Sequence, residues 1–97
     1  MKQLVFSVYD TKAEAYMQPF MFNNVGEAVR GFSDAVKDEK TVFNAHPSDF
    51  ILFQVAEFDN ASGEYKNILP PKNLGLATDY MPVRLTDAKV SIDKVQE

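Results

Sequence analysis

"FILFQVAEFDNASGEYKNIL", residues 50–69, is the stretch on which the fold turns. Its first ten residues are the most apolar in the chain. Ile51, Phe53 and Val55 fall on one side of a period of two, and Phe50, Leu52, Ala56 and Phe58 on the other. Apolar character on both sides is the mark of a central strand. Asp59, Asn60, Ser62 and Gly63 then supply turn chemistry, and "EYKNIL" returns as a second strand that Pro70-Pro71 ends. A hairpin apolar on both faces needs a cover on each.

The rest of the chain offers one good cover. In "NNVGEAVRGFSDAVKDEK", residues 23–40, Val25, Ala28, Val29, Phe32, Ala35 and Val36 recur at helical spacing and make one apolar stripe. Asn24 with Glu27 three residues later has the spacing of a capping box. Upstream, "QLVFSVY", residues 3–9, alternates: Leu4, Phe6 and Val8 face one way, Val5, Ser7 and Tyr9 the other. Asp10 and Thr11 close that strand. "KAEAYM" makes one helical turn or a bulged strand. "QPFMFN" is extended, with Phe20 and Phe22 on one face, and Pro19 places it at a strand start or a sheet edge. The segment "TVFNAHPSDF" reads as an ordered loop with Val42 or Phe43 plugging the core, and "NLGLATDYM" as a last edge strand. The expected architecture is α+β: a four- or five-stranded antiparallel sheet with one helix packed on one face. Residues 1–81 form one domain, and 82–97 a polar C-terminal tail. The uncovered side of the 50–58 strand points to a homodimer.

Ninety-seven residues suffice for one core. The absence of cysteine excludes disulfides, thiolate metal sites and a cysteine nucleophile. The N-terminal "MKQLVFSVYD" is too short and too polar in its apolar part for a signal peptide, and no run has the length of a membrane span. The expectation is a soluble protein of the cytoplasm. Ten basic residues against fourteen acidic ones give a net charge of −4 without a basic run, which lowers the expectation of nucleic-acid binding because phosphate neutralisation supplies most of such affinity.

Catalytic chemistry finds little support. His46, the single histidine, could be oriented by Asp49, but no further group converges on it and a turn-bonded loop histidine is the better reading. One histidine without cysteine makes no metal site. Asp10 and Glu14 read as a turn cap and a solvated residue, and the four glycines match no phosphate loop. Neither enzyme activity nor a cofactor is expected. The remaining signal is aromatic: twelve Phe and Tyr residues, most of them on the expected strands. Single-stranded nucleic acid stacks on exposed sheet aromatics flanked by cations. Tyr9, Tyr16 and Tyr65 are the best exposed rings, with Lys2, Lys12 and Lys66 nearby in sequence, and Lys12, Tyr16, Tyr65 and Lys66 are the candidate nucleic-acid-binding residues. The phenylalanines read as core.

One wider pattern runs through the chain. A strand ending in Tyr9-Asp10 is followed by Lys12-Ala13-Glu14-Ala15-Tyr16 and Gln18-Pro19-Phe20. Then come a helix with Ala28-Val29-Arg30-x-Phe32-x-Asp34, His46-Pro47-x-Asp49-Phe50, and a Phe58-Asp59…Gly63 hairpin. This succession, over roughly residues 4 to 80, resembles the small nonstructural protein of the microviruses, single-stranded DNA phages of the gokushovirus type. The resemblance implies a nonstructural protein of the infected host cell that binds single-stranded DNA during genome replication or handling. An adaptor that engages a phage or host replication protein without touching DNA is the alternative. It carries over no site residues.

Overall fold

The structure is a computed structural model that describes residues 2–82. The segment expected as a polar tail therefore lies, save for Pro82, outside the described residues. The elements run β1 (Lys2–Asp10), β2 (Ala15–Tyr16), β3 (Phe20–Phe22), α1 (Val25–Lys37), α2 (Val42–Ala45), β4 (Phe50–Asp59) and β5 (Glu64–Leu76), with short 3-10 turns at Pro47–Asp49 and Ala77–Tyr80. All strand pairings are antiparallel. The sheet order is β2-β1-β4-β5, with β3 also on β1, and α1 is the one long helix among the described residues. The α+β expectation holds.

The alternation in β1 decides what the helix covers. Phe6 and Val8 join Phe50 and Leu52 on one face, and Ala28, Phe32 and Val36 of α1 close over them. Phe6, Leu52 and Val36 are fully buried. Asn24 caps α1 through its side-chain oxygen, which accepts from the Glu27 N–H at 2.8 Å. The reading of 41–50 as a loop is refined. Thr41 caps the single turn α2, Val42 is exposed, and Phe43 is the plug, its ring 5.5 Å from Phe32 and 4.9 Å from Phe50.

Two strands differ from expectation, and proline explains both. The second strand is in two pieces on the same edge of β1: Tyr16 pairs with Tyr9, and Phe20–Phe22 pair with Leu4–Phe6. Pro19, which lacks an N–H, sits in the gap. There the Met17 N–H donates to the Val8 carbonyl and the Ser7 hydroxyl donates to the Met17 carbonyl, both at 2.7 Å. Downstream, Pro70-Pro71 does not end the return strand. Asn67 pairs with Ala56 and Lys72 with Gln54, so Ile68–Pro71 form a wide bulge, after which β5 resumes as far as Leu76 opposite Ile51. An edge strand tolerates this, because its outer N–H groups are not needed by a neighbour. Of the expected last edge strand over 73–81, residues 73–76 are the end of β5, while Ala77–Tyr80 turn off the sheet as a 3-10 turn.

A further register shift alters the faces of β4. Val5 pairs with Ala56 but Phe6 pairs with Gln54, so Val55 is an extra residue. Beyond it the alternation is offset by one. Ala56 and Phe58, expected with Leu52, lie on the side of Val5 and Gln3, away from the helix. The helix-free face is consequently richer in aromatic rings than a strict period of two implies.

Candidate functional site

The face of the sheet opposite α1 carries Tyr9, Ile51 and Phe53 at one end and Phe58 and Tyr65 at the other. The turn after β1 delivers Tyr16 to the first group. Asp10 organises this turn: its Oδ1 accepts from the N–H groups of Lys12 at 3.0 Å and Ala13 at 3.2 Å. Glu14 takes a left-handed φ of 57°. Ala15 and Tyr16 then pair back onto Asp10 and Tyr9. Asp10 is therefore a turn residue, as expected, and not half of a carboxylate pair.

The Tyr16 ring stands edge-on to Tyr9 at 4.9 Å and to Phe53 at 5.8 Å, yet 48% of the residue remains exposed. It packs on the sheet and offers a surface at once. Lys12 is exposed in the adjoining turn, so the structure brings the first two candidates to the same end of this face. It separates the other two. Tyr65 pairs with Phe58 and tilts against its ring at 4.7 Å, on the helix-free side. Lys66 pairs with Glu57, which faces Leu4 on the helix side. Lys2 lies there too, 3.6 Å from Glu57, and Lys66 shares a small, mixed-charge depression with Glu57, Asp59 and Glu64. Adjacent residues on a strand point opposite ways, so this split was readable from the sequence.

Between the two aromatic ends lies a groove of about 370 Å³. Met17 and Pro19 stand along one side and Ile68, Leu69 and Pro71 along the other, across Ser7 and Val55. Leu69 is 82% exposed, the most exposed large apolar residue described. The sequence did not disclose this groove, because it exists only where the Pro19 gap and the Pro70-Pro71 bulge face each other over β1 and β4. A second apolar cleft, about 430 Å³, opens between α1 and β3, lined chiefly by Phe20, Phe22, Phe32 and Phe43. Gly31 belongs to it: a Cβ there would come 3.4 Å from the Phe22 ring.

His46 is exposed, and it meets Asp49 through the backbone, the Asp49 N–H donating to the His46 carbonyl at 3.0 Å. Among the described residues there is no cluster of three metal-binding side chains and no helix long and apolar enough to cross a membrane.

Residues 3–80 match the pattern of the Phage ORF5 protein family. The chain belongs to that family. The Phage ORF5 match begins within β1 and ends at Tyr80, so it takes in both faces of the sheet, the groove and the helix. This is a bacteriophage protein. Searches of curated proteins and of solved structures gave no match.

Proposed function

We propose that this phage protein is a nonstructural accessory protein of the microvirus type. In this reading it acts in the host cytoplasm, by binding rather than catalysis and without a cofactor, and takes single-stranded DNA onto its helix-free face during genome replication or handling. The observation that carries the reading is the Tyr9–Tyr16–Phe53 ring cluster, with Tyr16 half exposed, on an uncovered sheet beside Lys12. Unpaired bases stack on such platforms, whereas duplex bases present no free ring face. Tyr16 supplies the stacking surface, Lys12 a phosphate contact and Tyr65 a second ring further along the face. Lys66, on the opposite face, contributes through the field of the protein rather than beside a stacked base.

A fluorescence anisotropy titration with a labelled oligonucleotide at two salt concentrations tests this. Tyr16→Ala is expected to cost about 1–3 kcal/mol of binding, the range for one stacked base. Lys12→Ala is expected to lower the salt slope by about one phosphate contact. No retention of single strands by the wild-type protein at low salt ends the reading.

One observation favours the alternative, an adaptor for a phage or host replication protein. Lys2 and Lys66 lie on the helix side of the sheet, and the helix-free face is largely neutral and apolar. An apolar partner needs no counter-charge, and its binding would change little with salt, whereas phosphate binding would weaken steeply.

A further inference from the structure

The groove between Met17 and Leu69 adjoins the rings of the DNA reading and shares Tyr16 with them. We infer that a second copy of this chain covers it, as an isologous dimer in which Leu69 of each copy enters the groove of the other.

A two-fold contact requires one patch to carry both a projection and a recess. Here they are adjacent. Leu69 projects from the β5 bulge at 82% exposure, and the recess of about 370 Å³ lies directly beside it. The neighbouring prolines fix φ on both sides of the groove and limit how far either rim adapts to a partner of arbitrary shape. Charge points the same way. No charged side chain lines the groove, so two copies, each of net charge −4, can meet there without bringing like charges into contact. A polyanion finds no cation in it. The edges of the sheet are less suited to the simpler mode of association: Pro19 interrupts one and Pro70-Pro71 the other, and proline lacks the N–H that a further strand needs.

The area is also in range. Tyr16, Tyr65 and Leu69 are 48%, 63% and 82% exposed. For side chains of this size that leaves on the order of 400 Å² of largely apolar surface. A standard interface buries about 800 Å² per partner, so these three residues supply about half of one, and single strands and a second copy would compete for the two tyrosines.

The test is sedimentation velocity of the full chain from low to high micromolar concentration, for wild type and Leu69→Asp. Wild type is expected to pass from monomer to dimer mass. Leu69→Asp is expected to weaken the dimer more than about tenfold and, at concentrations where wild type is monomeric, to leave the melting temperature unchanged, since an exposed residue holds no core contact. The chain has no cysteine, so a Leu69→Cys sample mixed with a Met17→Cys sample under oxidation is expected to give a cross-linked heterodimer. A Leu69→Cys sample mixed with Asp34→Cys is expected to give none. Monomer mass at every concentration overturns the inference, as does a dimer that Leu69→Asp leaves intact. So does a monomer in which Leu69→Asp lowers retention of a labelled oligonucleotide, which would make the groove a nucleic-acid site.

Discussion

The two faces of one sheet can be compared residue by residue. On the helix side Phe6, Val8, Phe50 and Leu52 are buried beneath Phe32 and Val36. On the other side Tyr9, Phe53, Phe58 and Tyr65 are as aromatic, yet all remain partly or largely exposed. Val5, Ser7 and Ala56 are buried on this side too, but they are small and lie mid-sheet. Side-chain type therefore does not decide burial here; a covering element does, and the described chain has one long helix to give. The helix face is where stability resides. The helix-free face holds aromatic surface at little cost to the core, and such surface is free to bind.

The sharpest way to break this contrast is truncation of one ring on each face. Phe32→Ala removes the centre of the helix packing and its edge contacts with Phe43 and Tyr80. It is expected to cost about 3–5 kcal/mol in denaturant unfolding, as large core truncations do. Tyr16→Ala loses two ring contacts on the open side and is expected to cost about 1–2 kcal/mol. Equal losses at the two positions would mean that the open face is a second core. Asn24→Ala tests the helix side differently, since it deletes the cap on Glu27 while leaving the apolar stripe intact. A loss of about 1 kcal/mol is expected, smaller than that of Phe32→Ala if the stripe, not the cap, holds α1 in place.

The smallest expected effect lies at the β4–β5 hairpin. The Ala61 N–H donates to Asp59 Oδ1 at 2.9 Å and holds that carboxyl below its ordinary range. A depressed carboxyl contributes stability above its unfolded pKa and loses it as pH falls through the lowered folded value. The amide protection factors of residues 59–64 are therefore expected to fall only under acid conditions, and Asp59→Asn to remove that pH dependence. No change at the core amides of β1 is expected.

Much of this was legible in the order of residues. The alternation of Leu4, Phe6 and Val8, the helical stripe of Val25 through Val36, and the turn residues Asp59 to Gly63 each follow from a local period, and a local period survives folding because it is set by backbone geometry. The opposite facing of Tyr65 and Lys66 was legible for the same reason, although their adjacency in sequence suggested a shared site. What no local period contains is register. The extra residue at Val55 turns Phe58 to the open face, and the bulge at Ile68–Pro71 lets β5 continue past two prolines. Both depend on how many residues the partner strand places opposite, a property of two segments and not of either alone. The groove beside Leu69 follows from that pairing. The sequence by itself determined β1, the helix with its apolar stripe and the turn between β4 and β5. The tertiary structure decided which aromatic rings stayed in the open and what stood next to them, because only strand pairing brings residues 16–19 and 67–71 to the same place.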